Sequence, residues 1–350
     1  MAIDWTKSMK QDFEYYTVDP ESWLDRERLE CIIESDISRD LNTETKHSFR
    51  AVTTEPIGEC YIRVYLIATQ GMETDKIPLG TFLSYVPSID YNGRLTKLDI
   101  EGYSPIIELR EKIPPIGTYI AKNANILTTI ANWLRLYTRA PIIDTNETCN
   151  STKNYVAEAS DTWYSYISGV LEDNGYFLNV DALGQIRIDK DINPMYLQPK
   201  WTFADGKDSI LCNDISINQD IFDVPNVLEV VASTGNGNNS GYAKVTNDSK
   251  DSPVSTVNRG RIIAKRITNP QVDVTGLQAY AENELIKEST VETSVTYSHG
   301  YCPVTIGDCI MLSHSRFGID KLKLKVVSQS ISCKTGCVVS ETARSTVNLM

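Results

Sequence analysis

Glu59–Thr69 reads ECYIRVYLIAT. Cys60, Ile62, Val64 and Leu66 fall on one side of a period-two pattern, and Tyr61, Arg63 and Tyr65 on the other, which predicts a half-buried strand. Leu79–Pro87 (LGTFLSYVP) and Arg94–Tyr103 (RLTKLDIEGY) follow as further strands. Asn92-Gly93 between them is a hairpin signal, because both central residues of a type I′ turn need positive φ. Upstream, the Ile- and Thr-containing stretch Glu30–Val52 favours strand, and residues 1–20 read as an arm or a first strand. Residues 1–112 are therefore expected to form an antiparallel β domain.

The pattern changes at Pro114-Pro115. Ile126, Ile130, Trp133, Leu134 and Tyr137 recur at helical spacing, with Asn125 placed to cap the start. A second helix is expected over Asp161–Asn174, with Trp163, Tyr166, Ile167, Val170 and Leu171 on its apolar face, Asp161 as cap, and Asn174-Gly175 at its end. Phe177–Val180 and Gln185–Ile188 then flank the turn Asp181–Gly184 as a hairpin. Residues 113–205 thus read as an α+β insert. From residue 206 the β character returns, with expected strands around Ile215–Ile217, Val227–Ala232, Arg261–Ile267, Thr293–Tyr297, Cys309–Leu312, Leu322–Ile331 and Val338–Ala343, and one helix near 275–289. The fold class is β-rich α+β: two antiparallel β-barrel domains, at 1–112 and 206–350, with the α+β insert between them.

Composition narrows the function classes. The chain has 350 residues, 34 Lys+Arg against 46 Asp+Glu, and a formal charge of −12. That balance argues against a protein that coats nucleic-acid phosphates. No stretch of 18 apolar residues is present, so no membrane insertion by a helix is expected, and MAIDWTKSMKQDFEYY lacks the apolar region of a secretory signal. Tyrosine predominates among the aromatics, 18 against 7 Phe and 5 Trp, which suits half-buried strands and assembly surfaces. Trp5, Trp23, Trp133, Trp163 and Trp201 sit mostly in apolar contexts and are expected in the core rather than as sugar platforms.

Little in the sequence points to catalysis. The three histidines, His47, His299 and His314, have no companion motif, and neither G-x-S-x-G nor H-E-x-x-H occurs. Gly235–Gly241 (GNGNNSG) lacks the Lys-Ser/Thr pair of a phosphate loop and reads as a solvated loop. Cys31, Cys60, Cys149 and Cys212 read as buried small hydrophobes. Cys302, Cys309, Cys333 and Cys337 are spaced C-x6-C and C-x3-C on closing strands; free thiols, disulfides and a thiolate zinc site all fit that spacing. No catalytic, cofactor-binding or metal-binding residue is assigned, and no cofactor is expected.

The most specific letters lie at the end of the chain: HGYCPVTIGDC (299–309), KVVSQSI (325–331) and Gly336-Cys337. With Ile77–Phe82 (IPLGTF), Trp163–Ile188 including DALGQIRI, Phe222–Val227 (FDVPNV) and Ser255–Arg261 (STVNRGR), this order of motifs resembles baseplate-hub or minor tail proteins of tailed phages, a family also present in phage-derived contractile bacteriocins. The resemblance spans about residues 30–345. It implies two tail-tube-like barrels per chain and a homotrimeric ring with pseudo-sixfold symmetry. That ring joins the tail tube or distal tail ring to the spike or tail-tip protein, as part of the virion tail or baseplate, after synthesis in the host bacterial cytoplasm. It implies no enzyme.

In such a ring three chains carry −36, three times −12. If part of that charge lines the channel, DNA passes through without specific binding, because the wall repels phosphate; the alternative is that the charge keeps the outer face soluble. Two other functions compete with the hub: a tail-tip cell-wall hydrolase and a carbohydrate-binding tail-tip module.

Overall fold

Cys60–Gln70 is a strand, as its alternation predicts, and the computed structural model describes it together with residues 3–91, 96–207, 209–233, 240–268 and 274–350. In chain order the first strands are β1 (Lys10–Val18), β2 (Asp25–Arg28), β3 (Ile32–Asp40), β4 (His47–Thr53), β5 (Cys60–Gln70), β6 (Glu73–Tyr91) and β7 (Thr96–Tyr103). The Glu30–Val52 stretch is thus two antiparallel strands, with Ile37 opposite Phe49. Strands β6 and β7 pair as a hairpin, Tyr91 opposite Thr96; the expected Asn92-Gly93 turn lies outside the described residues.

A one-turn helix α1 (Ile107–Arg110) leads to β8 (Tyr119–Ile120), α2 (Ile126–Tyr137), β9 (Ile142–Ile143), β10 (Tyr155–Val156), α3 (Trp163–Glu172), β11 (Tyr176–Val180) and β12 (Ile186–Lys190). Asn125 caps α2 as expected, its side chain accepting from the Leu127 and Thr128 amides. On α3 the cap is Thr162 rather than Asp161. Thr162 and Ser165 exchange hydrogen bonds in a capping box, while Asp161 accepts the Ser165 hydroxyl from one residue further out. Gly175, at φ +74, follows the helix end.

The remaining strands are β13 (Trp201–Ala204), β14 (Leu211–Gln219), β15 (Val227–Ser233), β16 (Ser240–Thr246), β17 (Ala264–Thr268), β18 (Thr290–Gly300), β19 (Cys309–His314), β20 (Ile319–Ser332) and β21 (Val338–Asn348); α4 (Thr256–Arg259) and α5 (Leu277–Glu288) lie among them. The chain is β-rich with few helices. It divides into two units, Met1–Ile215 with Tyr297–Ala343, and Ser216–Thr296 with Arg344–Met350.

In the first unit the main sheet runs β18-β21-β20-β3-β4-β7-β6-β5-β1-β2, joining strands from both ends of the chain. One core lies against it, built on Ile37, Phe49, Ile62, Val64, Leu66, Leu79, Phe82, Ile100 and Ile331. A second core gathers α2, α3 and the β11–β12 hairpin around Trp163, Ile130, Ile167 and Leu178.

The expectation that β5 is half-buried fails, because both of its faces are covered. Ile62, Val64 and Leu66 enter the first core, and Tyr61 enters the second. Tyr61 donates to Glu108 (2.7 Å) and Tyr65 to Asp25 (2.7 Å). Arg63 is 4% exposed. Its guanidinium reaches Asp25 (2.7 Å), Thr81 (2.9 Å) and the carbonyls of Trp23 (3.2 Å) and Leu183 (3.1 Å). The DALGQIRI turn therefore docks on β5 and β6. It fits because Gly184, at φ +79, carries no Cβ; one there would stand 2.6 Å from the Thr81 Cβ.

The second unit has its own sheet, β16-β15-β17, on which α5 packs through Leu277, Ala281 and Leu285. The expected GNGNNSG loop falls largely on residues 234–239, outside the described residues; Ser240 and Gly241 already belong to β16. The STVNRGR run is one helical turn, capped by Ser255 and ended by Gly260 at φ +62.

Candidate functional site

Alternation along the central strands of the first unit sends one set of side chains inward and the other to solvent, and the two sets differ in chemistry. On the outward face Ser330, Ser38 and Ser48 lie directly opposite one another across β20, β3 and β4, with Tyr103 next on β7. The neighbouring row is Ser332, Asp36, Arg50 and Glu101, which Tyr85 extends on β6. Arg50 stands 3.9 Å from Glu101, whose other oxygen accepts the Tyr85 hydroxyl at 3.2 Å. On these two rows rests a shallow trough of about 420 Å³. It carries hydroxyls and two carboxylates against one guanidinium. It holds neither a nucleophile beside a base nor a cluster of cations.

On the inward side the row Ile331, Ile37 and Phe49 belongs to the apolar core, and beside it runs a buried polar belt that starts from Gln329 and Arg39. Arg39 on β3 donates to the Gln329 side-chain carbonyl on β20, to the Leu79 carbonyl, and to Thr305 at 3.2 Å. The Gln329 amide donates onward to Glu341 on β21 (2.6 Å) and to the Val304 carbonyl (3.0 Å). Glu341 also accepts the Tyr297 hydroxyl at 2.7 Å, and the His299 Nε2 lies 3.3 Å from it, off the hydrogen-bond line. Arg39 and Glu341 thus form a buried cation–anion relay through one amide, an arrangement that fixes strand register because each partner left alone is costly. Burial pushes the Tyr297 phenol well above its ordinary value, and the Glu341 charge adds to it.

The three histidines are separate. His47, opposite Arg39, is fully buried and neither ring nitrogen has a partner. Burial first, then the Arg39, Arg187 and Lys46 charges, holds it well below the ordinary histidine range, so the ring is neutral. His314, at the end of β19, lies 4.8 Å from the Phe317 ring. His299 is the one histidine near a thiol: Cys302 Sγ is 3.9 Å from its Nδ1, a proximity that the sequence spacing did not suggest. That nitrogen already lies 2.6 Å from the Gly300 carbonyl, both side chains are buried, and burial raises the Cys302 thiol. The pair is a buried core contact rather than a nucleophile beside its base.

All eight cysteines are free thiols. Cys302, Cys309, Cys333 and Cys337 are buried, and burial pushes Cys333 and Cys337 up to about 12. The expectation of burial for the other four is corrected. Cys31, Cys60 and Cys149 are half-buried and Cys212 is exposed: Cys31, Cys60 and Cys212 sit at or beside a strand end, where alternation no longer implies a covered face, and Cys149 packs against the second core from the segment between β9 and β10. Among the described residues no group of three or more His, Cys, Asp or Glu is placed to hold a metal ion. Trp23 and Trp163 are buried, and Trp5, Trp133 and Trp201 are half-buried. Among the described residues no helix is long and apolar enough to cross a membrane.

No protein-family model matches the chain, and no curated protein matches it in sequence. Solved structures do match in fold. The tail protein from Neisseria meningitidis MC58 is similar with a TM-score of 0.62 at 11% identity, over 95% of this chain and 96% of its own. The 43 kDa tail protein of prophage MuSo2 from Shewanella oneidensis gives 0.60 at 13% identity, over 95% and 98%. A structure of the Francisella PdpA–VgrG complex gives 0.55 at 10% identity, covering 97% of this chain and 58% of that one. The chain shares the fold of these tail proteins along nearly its whole length.

Proposed function

We propose that this chain is a structural hub of a phage tail or baseplate, or of a related phage-derived particle, and not an enzyme. The observation that carries this reading is the whole-length likeness of fold to two tail proteins, one of them from a prophage, with 96% and 98% of their chains covered. A partial likeness would fit a shared domain in unrelated settings; a match end to end fits a shared place in an assembly. In this reading residues 1–112 and 206–350 supply two tube-like barrels and residues 113–205 decorate them. Three copies form a ring that joins the tail tube or distal tail ring to the spike or tip, and the protein resides in the virion.

The hydroxyl-lined sheet face is the proposed channel wall. Serine and tyrosine hydroxyls bind phosphate weakly when uncharged, and two carboxylates against one arginine leave the surface without the cation cluster that would hold DNA. Copy number per particle, by mass or electron microscopy, tests the hub. Three per tail is expected; six indicates a distal tail ring, and one rules out both. A peptidoglycan zymogram of the purified chain is expected to be blank, and a clear band would favour the hydrolase.

A further inference from the structure

Alternation along the β11–β12 hairpin divides its side chains between two uses. Tyr176, Leu178, Val180, Ile186 and Ile188 enter the second core. The other face carries Phe177 opposite Asp189 and Asn179 opposite Arg187. The turn before β19 lies close to that face: a Cβ on Gly307 would stand 3.8 Å from the Asn179 Nδ2 and 3.9 Å from the Phe177 Cζ. A cavity of about 360 Å³ opens there within the first unit, with Lys325 of β20 and the apolar Ile192 and Leu197 on its walls. That volume lies at the low end of small-molecule sites, roughly 300–1,000 Å³.

Most of the charged groups around the cavity are engaged. Glu147 accepts the Tyr176 hydroxyl (2.7 Å) and Asp189 the Asn179 amide (2.7 Å). Asp308 accepts the Lys200 ammonium (2.7 Å) and the Thr305 amide (2.8 Å). Lys325 donates to Asp191 (2.6 Å) and lies over the Phe177 ring at 4.8 Å, and Lys190 stands 5.9 Å from the Tyr176 ring centre. Lys323, which adjoins the cavity, donates to the carbonyls of Met195 (3.3 Å) and Leu197 (2.7 Å). Arg187 differs. Its Nε is buried and stands 2.9 Å from Asp189, off the hydrogen-bond line, and among the described residues its guanidinium donates no hydrogen bond. A planar fork with its donors unused matches a carboxylate through two parallel hydrogen bonds.

The walls select the rest of the ligand. Glu147, Asp189 and Asp308 line the cavity together with Arg187, Lys190 and Lys325. A phosphate dianion therefore meets three carboxylates, and a simple cation meets three cations; a ligand of both signs avoids either repulsion. Among the described residues Glu147 and Asp308 each keep one carboxylate oxygen unbonded, open to an ammonium. Stacking of a sugar on Phe177 is disfavoured, because Lys325 already covers that ring. We propose that this cavity binds a zwitterionic amino acid or short peptide with an apolar side chain, its carboxylate held by the Arg187 guanidinium and its side chain against Ile192 and Leu197. Such a site does not depend on the ring proposed above.

Isothermal titration calorimetry of the full chain tests it, with leucine and glycyl-leucine as probes and leucinamide, N-acetyl-leucine, inorganic phosphate and glucose as comparisons. Leucine or glycyl-leucine is expected to bind in the millimolar range. Leucinamide and N-acetyl-leucine are expected to bind about tenfold more weakly, since each leaves a charged partner in the cavity unpaired. Arg187→Lys, which keeps the charge and loses the fork, is expected to weaken binding about tenfold. Lys10→Gln, on an exposed strand end of the same unit, leaves binding as in the parent. Circular dichroism checks that both variants fold. Absence of saturable binding of either probe up to about 10 mM overturns the site. So does leucinamide, phosphate or glucose binding as tightly as leucine, or a folded Arg187→Lys variant that binds as the parent does.

Discussion

Removing Glu341 tests whether the buried belt holds the first unit together. Glu341 is 1% exposed and accepts from Tyr297 and Gln329, with Arg39 one amide away. In Glu341→Ala two buried donors lose a charged acceptor, and hydrogen bonds of that kind contribute about 1.5–3 kcal/mol each. The Arg39 cation also stays behind without its counter-charge, a situation that typically costs about 3–5 kcal/mol. These terms overlap, so the expected loss is about 3–5 kcal/mol rather than their sum. Urea unfolding followed by tryptophan fluorescence reads it cleanly, since all five tryptophans (5, 23, 133, 163, 201) lie in the first unit. In a double-mutant cycle, Arg39→Met combined with Glu341→Leu should be less destabilised than the two singles added together, by about 1–3 kcal/mol. A loss below about 1 kcal/mol for Glu341→Ala, or a cycle that adds within about 0.5 kcal/mol, refutes the relay.

Gly184→Ala is expected to cost more than about 1–3 kcal/mol in the same unfolding assay, since it combines a positive φ with a Cβ 2.6 Å from Thr81 and 3.1 Å from Trp23; Gly117→Ala, at φ +87 in open space, pays only the backbone part. His47 should make the fold acid-sensitive. Its folded pKa lies well below 6.5, so the unfolded chain binds the extra proton, and stability is full above pH 6.5 and falls as pH drops below it, by up to about 1.4 kcal/mol per unit. His47→Leu should flatten that part of the stability–pH curve while leaving stability at pH 7.5 within about 1 kcal/mol, because neither ring nitrogen has a partner to lose; an unchanged slope sinks the assignment. With a thiol reagent under native conditions Cys212 should react first, and Cys302, Cys333 and Cys337 only on unfolding.

Much of the local structure was legible. Alternation located β5, helical spacing located α2 and α3 within two residues of their ends, and Asn125 was recognisable as a cap because its role needs only neighbouring amides. Errors came where a partner distant in sequence decides. The outward face of β5 is buried because Trp23, Asp25 and the Leu183 turn arrive from elsewhere. Half-buried Cys60 and exposed Cys212 carry the same letter as buried Cys302. The candidate surfaces were harder still. Ser38, Ser48 and Ser330 are ordinary serines in three separate strands, and they become one row only through the β20–β3–β4 register.

The letters alone determined the periods, the caps, the charge of −12 and a string of motifs whose order resembles tail hub proteins. Tertiary structure decided that both faces of β5 are core, that FDVPNV and STVNRGR interlock through Arg259 and Asn226, and that Arg39, Gln329 and Glu341 share one buried belt. Period and capping are set by residues within a few positions of one another. Burial, register and charge pairing are set by whichever strand the fold brings alongside, and in this chain those strands come from opposite ends.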